Sequence, residues 1–126
     1  MKTIINSAQA PSPVGPYNQA ILVGDTLYVS GQIAINQAEG KLVLDTIEEE
    51  TTQVMKNLSY ILAAASMTFD NVVKCSVFVS DMEMYAKINA VYATYIDEET
   101  APARELVQVA NLPKYVNVEI SCIAVK

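Results

Sequence analysis

A chain of 126 residues that is 52% hydrophobic is long enough for one domain with a real core and too short for two. Its net charge of −6 and pI near 4.5 argue against the basic face that nucleic-acid phosphates or an anionic membrane would require. With no histidine, Ser-His and Cys-His nucleophile pairs, imidazole relays and His-ligated metals are excluded, and the two cysteines cannot build a structural zinc site within one chain. Acid-base chemistry must rest on carboxylates, tyrosines, lysines or water.

Residues 1–10 offer only Ile4-Ile5 as an apolar pair, which is too little for a signal peptide. No run approaches the roughly 18 apolar residues that span a bilayer. A cytoplasmic protein is expected. The loop Pro11-Ser12-Pro13-Val14-Gly15-Pro16-Tyr17 is stiffened by three prolines. Residues 19–23 read as a strand, Gly24-Asp25 as a tight turn, and 26–35 as the partner strand. Gly31 interrupts that partner, which predicts a bulge or a close backbone approach.

Thr46-Ile47-Glu48-Glu49 fits a capping box, and Ile47, Thr51, Val54, Leu58, Ile61 and Ala65 recur at helical spacing. A strand over 72–79 follows, apolar on both faces apart from Lys74 and Ser76. Ser80-Asp81-Met82-Glu83 is a second candidate capping box, opening a helix to about Ile96. Residues 105–109 and 116–125 complete the chain as strands, with Leu112-Pro113-Lys114 turning between them. This order predicts an α+β sandwich. Two helices cover only one sheet face, and the mean hydropathy of +0.23 is high for so small a domain. The uncovered face is therefore expected to meet other copies in a homo-oligomer.

Arg104 is the only arginine. It reads either as a surface cation holding a neighbour such as Glu105, or as an anchor that forks onto a substrate carboxylate. Glu119 lies between Val118 and Ile120 and shares a strand face with Asn117, Ser121 and Ile123. It reads either as half of an ion pair across a subunit interface or as a shielded carboxylate that activates water. Tyr17, Ser30 and Asn89 are weaker candidates, since residues of each kind are more often ordinary structural ones: a packing tyrosine, a strand serine before a bulge and a solvated helix asparagine. Cys75 and Cys122 read as core thiols.

Gly15-Pro16-Tyr17, Ser30-Gly31-Gln32, Val77-Phe78-Val79, Pro102-Ala103-Arg104, Leu112-Pro113-Lys114 and Val118-Glu119-Ile120 together resemble the RidA/YjgF family of reactive-intermediate deaminases. The correspondence runs in order over essentially the whole of residues 1–126. It implies a chorismate-mutase-like α+β fold, with a mixed sheet and two helices on one face, assembled as a homotrimer with clefts between subunits. It further implies hydrolysis of 2-imino acids (2-iminobutanoate, 2-iminopropanoate) to 2-oxo acids and ammonia, with no metal or organic cofactor. By position, Arg104 would bind the substrate carboxylate and Glu119 would activate water. Tyr17, Ser30, Gly31, Asn89 and Leu106 would line the cleft. The chain departs from the family at Glu105, where many members have a small residue, at Leu106, where many have a polar one, and at Ser121, where close relatives have an acidic one.

Three other functions fit less of the sequence. A non-catalytic trimer binding small carboxylates needs Arg104 but no aimed water. Mutase chemistry on a dicarboxylate wants several cations where this chain has one arginine. RNA cleavage, also described in the family, is disfavoured by the acidic charge and the lack of histidine.

Overall fold

The computed structural model describes residues 1–126. In chain order the elements are β1 (Lys2–Ile5), β2 (Ala20–Val23), β3 (Thr26–Gln32), β4 (Ile35–Asn36), β5 (Lys41–Leu42), α1 (Ile47–Ala64), β6 (Val72–Val79), α2 (Tyr85–Tyr95), β7 (Ala103–Gln108) and β8 (Val118–Val125). Six strands form one sheet in the order β1-β2-β3-β8-β6-β7, and β4 pairs with β5 in a small separate ribbon. Only the β6–β7 pairing is parallel, so the sheet is mixed, as expected. The α+β fold with its helices against one sheet face is likewise as expected.

Alternation along the strands decides which face is covered. On β8, Val118, Ile120, Cys122 and Ala124 are buried, while Glu119, Ser121 and Ile123 are only half-buried. The buried set joins Val77 and Val79 of β6 and Val54, Leu58, Ile61 and Leu62 of α1 in one core. Cys75 and Cys122 face each other across β6 and β8 as free, buried thiols. Burial raises both thiols, that of Cys122 to about 12, so neither is a ready nucleophile. The opposite sheet face carries Tyr28 (51% exposed) and Val107 (43% exposed), an apolar surface with no cover within the chain.

Several boundaries differ from the sequence reading, each for a local reason. The 26–35 strand breaks at a register shift between Val29 and Gln32, around Gly31, and resumes as β4. β1 was not foreseen, because Lys2–Ile5 is short and mostly exposed. Thr46 does cap α1, its hydroxyl accepting from the Glu49 N–H at 3.0 Å. The second capping box does not form. Asp81 caps a single 3-10 turn, Met82–Met84, and α2 starts only at Tyr85, with no side-chain cap. The Ser80 hydroxyl instead donates to Asn117 Oδ1. β7 begins at Ala103 rather than Glu105, which takes Arg104 into the strand.

Three polar residues within α1, Glu50, Thr51 and Asn57, are fully buried, the Thr51 hydroxyl donating to the Ile47 carbonyl of its own helix. Asn57 donates to the Ile33 and Ile35 carbonyls at 3.0 Å each, satisfying backbone that the sheet has released.

Candidate active site

Arg104 sits on β7, an edge strand, opposite Cys75 of β6, so its side chain lies on the helix side of the sheet. There α2 receives it. Asn89 Oδ1 accepts from Nη1 at 2.9 Å, and the Tyr85 hydroxyl stands 3.4 Å from Nη2. The guanidinium carbon lies 4.8 Å from the Tyr92 ring centre, a cation–π stacking distance. Tyr85, Asn89 and Tyr92 are spaced by four and three residues and so share one helix face. That spacing was the signal from which the sequence could have yielded Tyr85 and Tyr92 as partners of Arg104.

No carboxylate pairs with Arg104, because the chain's ion pairs are Lys41–Glu39 and Lys74–Glu105. The reading of Arg104 as a holder of Glu105 is thereby overturned. Glu105 alternates to the other sheet face, where Lys74 Nζ at 2.8 Å and the Ser76 hydroxyl bind it and hold its carboxyl below the usual range. The guanidinium faces a cavity of about 450 Å³ lined by Asn89, Tyr92, Ile96, Asp97, Glu98 and Pro102, among others. Leu106, on the same strand face, packs against the core and brings no polar group.

Glu119 lies on the opposite side of the sheet, in a smaller cavity of about 100 Å³ that also includes Tyr17, Gly31, Ile33, Pro113 and Lys114. The carboxylate rests directly over Gly31. A Cβ at that position would sit 2.8 Å from Glu119 Cδ and 3.1 Å from Cγ, with Oε2 nearer still. Only glycine admits this approach, which gives the predicted close contact its cause. Burial raises the Glu119 carboxyl above its ordinary value, and no cation offsets the effect. The ion-pair reading of Glu119 therefore finds no partner inside one chain. Ser30 is turned aside, its hydroxyl donating to the Asn18 carbonyl at 2.6 Å, and it borders a neighbouring cavity shared with Tyr17.

The expected residues thus fall into two groups. Arg104 and Asn89 form one, and Glu119, Gly31 and Tyr17 form the other, with Ser30 beside it. Within a single chain the two groups occupy separate cavities on opposite faces of the sheet. Lys114, in the sequence no more than part of a turn, lines the Glu119 cavity.

Comparison with known proteins agrees with this architecture. The family model described as Endoribonuclease L-PSP matches residues 7–126. A RutC family protein of Synechocystis is 49% identical over 123 residues, covering 97% of this chain and 95% of that protein. A mouse protein named 2-iminobutanoate/2-iminopropanoate deaminase is 42% identical over 126 residues, covering 100% of this chain and 93% of that protein. A crystal structure of a Rid-family protein of unknown function from Yersinia pestis superposes with a TM-score of 0.96 at 42% identity, covering 100% of both chains. With its fold, its motifs and these relatives in agreement, the chain belongs to the family described as Endoribonuclease L-PSP, also called YjgF/RidA.

Proposed function

We propose that this protein hydrolyses small 2-imino acids to 2-oxo acids and ammonia, in sites completed between the protomers of a trimer. The observation that carries the reading is the Glu119 carboxylate laid over Gly31 in a small cavity, half-buried and raised in pKa, with no cation to neutralise it. The unpaired guanidinium of Arg104 on an edge strand complements it. The mouse relative's name supports imine deamination as the chemistry.

In this scheme Arg104, held flat by Asn89 and Tyr92, takes the substrate carboxylate in a two-pronged contact, a charged interaction of about 1.5–3 kcal/mol. The imine carbon is already electrophilic, so the protein's task is to hold it and to aim water. Glu119 accepts a proton as water adds to that carbon of the protonated imine, giving a neutral carbinolamine. The same carboxyl, now protonated, returns the proton to nitrogen; as the carbon–nitrogen bond breaks it takes the carbinolamine hydroxyl proton and passes it to the departing ammonia, which leaves as ammonium. A carboxylate with a raised pKa suits both steps, because it takes and gives a proton nearer to neutral pH. The residues require no metal or cofactor for this sequence.

The test is to generate imine with a pyridoxal-phosphate-dependent threonine dehydratase and trap the surviving imine with semicarbazide. The protein is expected to lower trapping, and Arg104→Ala to abolish that effect; equal trapping with and without the protein refutes the reading. A second reading, a non-catalytic binder of small carboxylates, draws on Leu106, which packs against the core and gives the site no polar side chain beside Arg104. Calorimetric binding of 2-oxobutanoate with no turnover would favour it.

A further inference from the structure

We propose that Glu50 is a positioning residue for Glu119, fixing the start of β8 from behind the sheet. Glu50 is fully buried near the start of α1, 67 and 68 residues from the groups it binds. Its Oε2 accepts the backbone N–H of Asn117 at 2.7 Å and of Val118 at 3.1 Å, and its Oε1 accepts Asn117 Nδ2 at 2.8 Å. No cation pairs with it, so three N–H donors alone satisfy a buried carboxylate. Such a group is costly as a mere core filler, for which an apolar side chain would serve better.

Its location explains what it does. The last pairing of β8 with β3 is Ile120 with Gln32, where β3 ends, so the chain at residues 117–119 has no β3 neighbour. Glu50 supplies acceptors to the stretch where that neighbour has gone. From the other side, Ser80 N donates to the Asn117 carbonyl at 3.0 Å and its hydroxyl to Asn117 Oδ1 at 3.2 Å. The peptides of residues 117 and 118 are clamped between the two. Glu119 is the next residue, and the pleat turns its side chain to the far face, where the carboxylate meets Gly31. A rotation of the 117–118 peptide would swing that carboxylate off its glycine seat.

The kinetic arm of the test rests on the imine-hydrolysis reading; the spectroscopic arm does not. Wild type, Glu50→Ala, Glu50→Gln and Asn117→Ala are compared by kcat, KM and pH profile for imine hydrolysis. In parallel, the Glu119 carboxyl is titrated by NMR in protein labelled with 13C-glutamate. Glu50→Ala is expected to lower kcat about 100-fold with KM held within about threefold, because Arg104 on β7 still binds the substrate. The acid limb and the Glu119 titration should both move down toward the ordinary carboxylate range as the side chain reaches water. Glu50→Gln should restore kcat to within about threefold, since its oxygen can take both backbone N–H groups while the Asn117 amide turns to match. A purely structural role predicts lower thermal stability with an unmoved acid limb, or equal loss in both Glu50 variants; either result overturns the proposal. If Glu50→Ala does not fold, Asn117→Ala decides, a downward shift of Glu119 supporting the clamp and an unmoved titration refuting it. If wild type proves inactive toward imines, the functional reading fails and the titration alone judges Glu50.

Discussion

At the scale of single residues, the structure turns on how closely the Glu119 carboxylate approaches the Gly31 backbone. Gly31→Ala would place a methyl carbon within 3.1 Å of two Glu119 side-chain carbons, so the carboxylate must leave. A loss of about 100-fold in kcat is expected. The thermal midpoint should change little, since Gly31 is exposed and its φ is not in the left-handed region. The raised pKa of Glu119 carries its own signature. A carboxyl raised on folding contributes its full stability below its unfolded pKa and loses it as pH rises through the folded value. Glu119→Gln should therefore melt higher than wild type at pH 7, with the gap closing as the pH falls below the ordinary carboxylate range. Paired thermal melts at the two pH values check this, and a gap that widens on acidification contradicts it.

At the scale of elements, the legible parts of the fold were those written in local periodicity. The apolar stripe of α1 and the capping Thr46 were readable, as was the alternation that puts Glu119 and Cys122 on opposite faces of β8. What escaped was decided by contacts distant in sequence. Glu50 and Asn57 look like ordinary helix surface until residues 117–118 and 33–35 are brought against them. The α2 start was misplaced because Ser80, a good cap on paper, is claimed by Asn117. The Leu112-Pro113-Lys114 turn was recognised, but not its strain: Lys114 and Tyr115 both adopt left-handed backbone, at φ of 54° and 56°. Tyr115 is 81% exposed and buries almost nothing in return. Tyr115→Gly should raise stability by about 0.5–1 kcal/mol, the relieved left-handed strain outweighing glycine's entropy in the unfolded chain. A urea midpoint below that of wild type would contradict this.

At the scale of the whole molecule, one chain holds the two residue groups of the proposed site apart. Arg104 lies with α2 on the covered face at one sheet edge, and Glu119 lies with Tyr17 and Gly31 on the other face. The side-chain types of the site were readable from the sequence, because a sole arginine and a carboxylate between apolar neighbours are conspicuous. Their separation was not, because it depends on strand order: β8 lies between β3 and β6, while β7 is on the outer edge. The open face, with Tyr28 and Val107 uncovered, is the natural place for a second copy, and a ring of like interfaces would bring the two groups together.

Subunit mixing tests this directly. Arg104→Ala and Glu119→Gln are each expected to be inactive alone. Unfolded together in equal amounts and refolded as mixed trimers, they should regain activity, since about a quarter of the interfaces in a ring with one repeated contact join an intact Arg104 to an intact Glu119. Mixed trimers that form, as mass spectrometry would verify, yet stay as inactive as either parent would contradict a site shared between protomers.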